Sequence, residues 1–342
     1  MVNLRDVARL AGVSPATASR ALAQPQMVSA ARRADVERAA VALGYRHPSS
    51  QAEPASWRSL GLIVPDMENP FFASIAKAVQ RRARAAGLAV LVADTEDDAS
   101  LEAEPLQQMR SLVDGIILCS PRMPDSALAE LTGGPEVLLV NRRSEHLRSV
   151  VVDNRDGVRQ ALAHLHALGH RHVAYVGGPR ASWSDAERRG GLEPDYHGIA
   201  DLRTSPLGHF PPTFEGGVAA ADLVIASGAT ATLAHNDLIA LGLLDRLRGR
   251  GIAVPDELSV VGFDDVPAAS FVSPALTTVA VPLDRLGHAA VDLLLDPDAT
   301  VDSVEPQGAS SALPSRLLPV ALVVRGSSGP VRAVTPSAAA AT

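Results

Sequence analysis

The chain of 342 residues contains a single cysteine, Cys119, so it can form no internal disulfide and needs no oxidising compartment. No apolar run approaches the ~20 residues of a membrane span. The opening stretch, MVNLRDVARLAGVS, lacks the apolar core of a signal peptide. Three catalytic or nucleotide signatures are missing as well: a G-x-x-x-x-G-K-[ST] phosphate loop, a G-x-G-x-x-G after a strand, and a G-x-S-x-G nucleophile elbow. His164, His166, His170 and His172 stand close together. Residues two apart face different sides of a helix, however, and no cysteine or acid completes a ligand set. Cys119 closes an apolar stretch and reads as a small core residue. The expectation is a cytoplasmic protein with no metal or cofactor that acts by binding rather than catalysis.

What is present fits a globular chain of two domains with a small appendage: 46% of residues are apolar and 20% charged. The net charge of −7 hides an asymmetry. Residues 1–58 carry eight arginines against four acids, a net +4, so the rest of the chain carries −11. A basic head on an acidic body suggests that the head alone meets a polyanion, although a solvated charged surface would look the same on charge alone.

The first 44 residues read as three short helices. Asn3 caps the first, whose apolar stripe is Leu4, Val7, Ala8 and Ala11, and Gly12 supplies a left-handed stop. Ser14 caps the second, with Pro15 at its first position, where a missing N–H costs nothing. Its inner stripe is Ala18, Ala21 and Leu22. Ser29 caps the third, which buries Val36, Ala39, Ala40 and Leu43. Two helices joined by a glycine turn present the second for insertion into a DNA major groove. Its outward residues are Pro15, Ala16, Ser19 and Arg20, and Arg20 can fork onto guanine O6 and N7. A protein-binding three-helix module would share this outline.

From His47 to Ser59 the chain is polar, proline-bearing and without period, which predicts a linker. Beyond it, short apolar strands such as LGLIV, GIILCS and EVLLVN alternate with helical stretches. The pattern restarts after Val152 with VAYVGG, TATLAH, LSVVGF and LTTVAV. Such alternation predicts two similar doubly wound lobes, each a parallel sheet covered by helices. Residues 60–152 plus 282–318 form the first and 153–281 the second. A strand over Leu317–Val324 is expected to return to the first half, and residues 326–342, rich in Ser, Pro and Ala, to form a flexible tail.

The motifs DVA-x-x-AGVS, T-x-S-R-x-L, VS three residues after a proline, and ALGY closely resemble the headpiece of the LacI/GalR family of bacterial regulators. IVPDMENPFF, VDGIIL, VVVDN, LGHRHVAYVGGP, HNDLIALG, VPDELSVVGFDD and ALTTVAVPL resemble the effector-binding body of the same family. The likeness spans about residues 3–325. It implies a helix-turn-helix headpiece over 1–47, a hinge over 48–59 and a periplasmic-binding-protein-like body over 60–325. It further implies a transcription regulator that binds a pseudo-palindromic operator as a homodimer, with a sugar or nucleobase-like effector between the lobes and repression as the expected sign.

Residue by residue, the resemblance gives Pro15, Ala16 and Arg20 as base contacts. Asn3, Ser14, Thr17, Ser19, Ser29 and Arg32 become phosphate-contacting or capping positions. In the cleft it gives Phe71, Phe72, Asn141, Ser184, Arg188, Phe210, Asn236 and Asp264. The hinge departs from the family: RHPSSQAEPASWRS lacks the usual Asn and Leu and carries Pro54, with Trp57 as its one large apolar residue. Residues 192–213 are the least family-like, with Pro194 where a helix is usual. Two alternatives remain at this point, a sugar-binding protein without a DNA role and an α/β enzyme acting on a sugar. The basic head opposes the first and the missing catalytic constellation the second.

Overall fold

The computed structural model describes residues 3–23, 28–43, 45, 59–131, 133–296 and 315–331, in two units divided after Trp57. The hinge expected over 48–59, with Pro54 and Trp57, lies outside the described residues except for its last position. In the first unit, α1 (Leu4–Leu10), α2 (Pro15–Ala23) and α3 (Ala30–Leu43) pack pairwise. Asn3 opens α1 with a reciprocal cap: its side chain accepts from the Arg5 and Asp6 N–H groups, and Asp6 accepts from the Asn3 N–H. Gly12, at φ +65°, makes the turn into α2. The shared core is Val7, Ala8, Ala18, Ala21, Val36, Ala39 and Ala40. Alanines dominate it, which lets short helices approach closely but leaves little apolar area to bury.

The second unit contains two six-stranded sheets. The first lobe runs β1 (Ser59–Val64), α4 (Pro70–Ala85), β2 (Ala89–Asp94), α5 (Ala103–Met109), β3 (Gly115–Cys119), α6 (Asp125–Ala129), β4 (Glu136–Val140) and β5 (Ser149–Val152). The second runs α7 (Asn154–Ala167), β6 (His172–Gly177), α8 (Trp183–Gly191), α9 (Pro194–His197), β7 (Arg203–His209), α10 (Phe214–Ala226), β8 (Ala231–Ala234), α11 (Asp237–Gly249), β9 (Ser259–Asp264), α12 (Ala268–Phe271) and β10 (Thr277–Ala280). The chain then returns: α13 (Leu283–Leu295) lies against α4, and β11 (Ser315–Leu318) pairs with β5. Finally β12 (Ala321–Val323) pairs antiparallel with β10. Strand orders are β11-β5-β4-β3-β1-β2 and β12-β10-β9-β8-β6-β7, parallel apart from β12. The central strands β1, β3, β6, β8 and β9 are almost wholly buried, as helix-covered parallel strands must be.

Two expectations need correction. The single strand expected over Leu317–Val324 is split between the sheets, so the second lobe regains chain after residue 320 rather than ending at 281. Residues 326–331 are also not a loose tail. Ser327 is fully buried; its hydroxyl donates to the Val260 carbonyl at 2.6 Å and accepts from the Thr277 N–H at 2.8 Å. The Val331 N–H reaches the Leu168 carbonyl. Small polar residues that look like a linker in sequence here satisfy buried backbone groups. Residues 332–342 lie outside the described residues. Among the described residues, no helix is long and apolar enough to cross a membrane.

Candidate functional site

In the first unit the second helix presents an exposed surface. Pro15, Ala16 and Arg20 are exposed, as are Ser29 and Arg32 at the start of α3. Ser14 is also exposed, but its hydroxyl accepts from the Thr17 N–H at 3.1 Å and lies 2.8 Å from the Thr17 hydroxyl. Ser14 and Asn3 thus have capping duties, while Thr17 and Ser19 are half-buried along the helix. A helix with an exposed guanidinium and small neighbours can approach a duplex closely and fork onto one base edge.

In the second unit, polar side chains from both lobes converge where the parallel strands end. Asn69, Phe71, Phe72, Ser120 and Asn141 come from the first lobe; Ser184, Arg188, Pro212, His235, Asn236 and Asp264 come from the second. Carboxyl ends of parallel strands are where doubly wound sheets leave a crevice for ligands. Backbone strain gathers there too: Ser120, Asn141 and Asp264 hold φ at +47°, +57° and +118°. The cavity they enclose is about 20 Å³, room for about one water. A larger ligand therefore enters only if the lobes separate or side chains move.

Arg188 is the most constrained member. Its Nε donates to Asn154 Oδ1 at 2.9 Å, Nη1 donates to the His235 carbonyl, and Nη2 lies 3.5 Å from Asp264 Oδ1. The guanidinium also sits 3.6 Å over the Phe263 ring. Burial pushes the Asp264 carboxyl well above its usual range, a shift that neighbouring Arg188 only partly offsets. Asn236 caps α11 through the Ile239 N–H and donates to the Pro212 carbonyl. On the first-lobe side, Phe71 and Phe72 meet edge to face with centroids 5.0 Å apart. Asn141 donates to the Ser120 hydroxyl at 3.0 Å, and its Oδ1 is buried without a donor.

Of the eight effector positions, the structure brings seven together. Phe210 is the exception: its half-buried ring packs against the core of the second lobe rather than lining the cleft. Asn69, Ser120, Pro212 and His235 complete the lining and were not named from sequence. The clustered histidines go to separate partners: His164 to Ser328, His166 to Asp201, His170 to Thr230 and Ser259, His172 to Ser205. Cys119 is buried beside the cleft, and burial pushes its thiol up to about 12. A larger cavity of about 530 Å³ lies on the flank of the second lobe, between Phe214, Leu241, Leu244, Val254, Val272 and Pro274. Its mostly apolar walls lack the converging polar groups of a small-ligand site.

Both units are similar to known proteins. Residues 3–49 match the profile of the bacterial regulatory proteins of the lacI family, and residues 162–328 that of the periplasmic binding protein-like domain. The chain is 32% identical to the HTH-type transcriptional repressor CytR of Escherichia coli K12 over 341 residues, 95% of each chain. Among solved structures it is similar to the lac repressor dimer bound to operator and the anti-inducer ONPF. That match has 28% identity, a TM-score of 0.70, and covers 96% of this chain and 99% of the other. A LacI family transcriptional regulator from Enterococcus faecium with bound ribose matches at 26% identity and TM-score 0.68, over 80% of this chain and 100% of its own.

Proposed function

This chain belongs to the lacI family of bacterial regulatory proteins, DNA-binding transcription regulators rather than enzymes, and from that premise we propose how it divides its labour. Residues 3–45 read operator DNA, with Pro15, Ala16 and Arg20 at base edges and Thr17, Ser19, Ser29 and Arg32 near phosphates. Residues 59–331 hold a small effector in the interlobe cleft. The protein acts in the cytoplasm as a repressor. The observation that carries this reading is one polar cleft built jointly by two lobes of a chain that also bears an exposed recognition helix. A ligand touching both lobes favours one lobe arrangement over another, and only that difference in affinity can alter DNA binding.

The effector is a sugar or nucleobase-like molecule. Amide, guanidinium and carboxylate groups suit hydroxyls or ring nitrogens, while Phe71 and Phe72 cover an apolar face. The similar Enterococcus faecium regulator holds ribose. A second copy of this chain covers the apolar flank of the second lobe, where Phe271 is 82% exposed beside the groove containing Leu241 and Val272. An exposed apolar ring beside an apolar groove suits a protein interface, and the similar lac repressor is a dimer on its operator. Two heads then meet a pseudo-palindromic site. Selection from random duplex DNA by the full chain tests this: inverted paired half-sites are expected, and a single unpaired site or no enrichment overturns it.

A further inference from the structure

The turn that carries Asp264 is gripped by a buried carboxyl outside the cleft. Asp264 and Asp265 follow one another at φ +118° and +60°, between β9 and α12. Consecutive non-glycine residues with positive φ persist only where their surroundings hold them. Two ion pairs hold the side chains: Arg188 Nη2 lies 3.5 Å from Asp264 Oδ1, and Arg325 Nη2 donates to Asp265 Oδ1 at 2.6 Å. The backbone has its own anchors. The Val281 N–H donates to the Asp264 carbonyl, and the Val266 N–H donates to Asp237 Oδ2 at 2.9 Å.

Asp237 opens α11 and is fully buried. Its Oδ1 lies 2.5 Å from the Thr278 hydroxyl on β10. Gly262 on β9 makes room for it, since a Cβ there would clash with Oδ1. One carboxyl thus joins α11, β10 and the turn after β9. The arginines of this region are matched to Asp264 and Asp265, and burial pushes Asp237 up to about 7. A protonated carboxyl can donate to Thr278 through one oxygen and accept from Val266 through the other.

Resting on the reading of the cleft as an effector site, we propose that Asp237 is a positioning residue: through the Val266 N–H it holds the left-handed turn, and so keeps the Asp264 carboxyl facing the cleft. Asp237 itself touches no effector. It acts from behind the wall, on a residue that does.

Carbodiimide labelling of carboxyl groups in the full chain, read by mass spectrometry with no ligand present, tests this. Asp264 is buried and should label slowly in the wild type, against exposed Asp222 as internal reference. Asp237→Ala should speed Asp264 labelling at least about ten-fold and leave Asp222 unchanged. Asp237→Asn, which keeps an acceptor for Val266 and a donor for Thr278, should stay within about three-fold of wild type. Unchanged labelling in Asp237→Ala, or equal gains in the two variants, overturns the inference. Since no ligand is used, either result leaves the effector reading standing.

Should Asp237→Ala not fold, hydrogen exchange of wild type and Asp237→Asn decides. Opening the turn admits water to Asp237, which then loses its proton at any pH above its ordinary 3.8. Opening therefore becomes easier as pH rises towards 7. Asp264, Asp265, Arg188 on α8, His235 at the end of β8 and Arg325 after β12 are the other titratable groups around the turn. They are the same in both proteins, so the ratio of the two isolates Asp237. Over residues 264–274 that ratio should rise by up to about ten-fold per unit between pH 5 and 7. A flat ratio, or an equal rise in every segment of the chain, overturns the positioning role.

Discussion

The two lobes share one architecture and bring opposite chemistry to the cleft between them. The second lobe contributes an interlocked polar set, in which Arg188 is fixed by Asn154, the His235 carbonyl and Asp264, and Asp185 is surrounded by donors. The first contributes the paired rings of Phe71 and Phe72 and the neutral side chains of Asn69, Ser120 and Asn141. The second lobe is thus organised before a ligand arrives, whereas the first offers apolar cover and one unsatisfied acceptor. Preorganised polar groups confer specificity because they need not be ordered at the moment of binding. Cover that depends on lobe position gives the ligand a way to bias the lobe arrangement.

This contrast breaks most visibly at Arg188. Arg188→Ala strands the Asp264 carboxyl and the His235 carbonyl, and is expected to cost about 3–5 kcal/mol of folding stability. Urea unfolding measures it, and a loss under about 1 kcal/mol would show that the second lobe is not organised around this residue. Asp264→Ala is milder. It removes one acceptor for ligand hydroxyls, about 1–3 kcal/mol of effector affinity, and calorimetric titration with the effector checks it. Unchanged affinity would place the ligand elsewhere. On the other side of the cleft, Phe72→Leu trims the cover and should cost only about 1 kcal/mol of effector affinity. A loss greater than that of Asp264→Ala would reverse the assignment of roles.

The pH behaviour sharpens the same contrast, because the strongly shifted carboxyl and imidazole groups near the cleft belong to the second lobe. Burial pushes Asp237, at the start of α11, up to about 7 from an ordinary 3.8, against the Thr278 hydroxyl and Val266 N–H that it accepts. The folded protein therefore holds a proton that the unfolded chain has lost. Its stabilising contribution is complete below about pH 4 and disappears as pH rises through about 7. His235, pushed down to about 4 from 6.5, acts with the opposite sign, so the informative quantity is the difference between variant and wild type. Asp237→Asn keeps an acceptor and cannot ionise. Relative to wild type it should gain up to about 1.4 kcal/mol of stability per pH unit across pH 4–7. A difference that is flat with pH contradicts this.

The head was the most legible part of the sequence. Its caps, its glycine turn and its alanine stripes are local signals, and the buried Val7, Ala18, Ala21 and Val36 follow the helical period. The alternating lobes were readable for the same reason. Strand β7 was not, since its TSPLG stretch carries Pro206 and Gly208, which an edge strand tolerates and a central one does not. Arg188 and Asp264 were legible through resemblance, but the Asp185–His235 pair was not: the residues lie 50 positions apart and meet only because α8 begins and β8 ends at the same crevice. Phe210 packs against the core rather than lining the cleft, a choice of side that only the end of β7 decides. Ser327 escaped notice because a small hydroxyl residue near a chain end gives no sequence sign of a buried hydrogen bond.

A separate effect belongs to the head alone. Arg20→Ala should weaken operator binding by about 1–3 kcal/mol and relax preference at one position in each half-site, as gel-shift titration at fixed salt would show. Equal losses on all DNA sequences would make Arg20 a phosphate contact instead.

The central claim is that occupancy of the cleft changes affinity for DNA. Fluorescence anisotropy of a selected operator duplex, titrated with the full chain at fixed salt with and without a sugar or nucleobase compound that raises the chain's thermal unfolding midpoint, tests it most directly. The account predicts a shift in operator affinity of about 5–150-fold, lost at the same ligand concentration in Asp264→Ala. An operator affinity that stays the same at saturating ligand in the unmutated protein would contradict it.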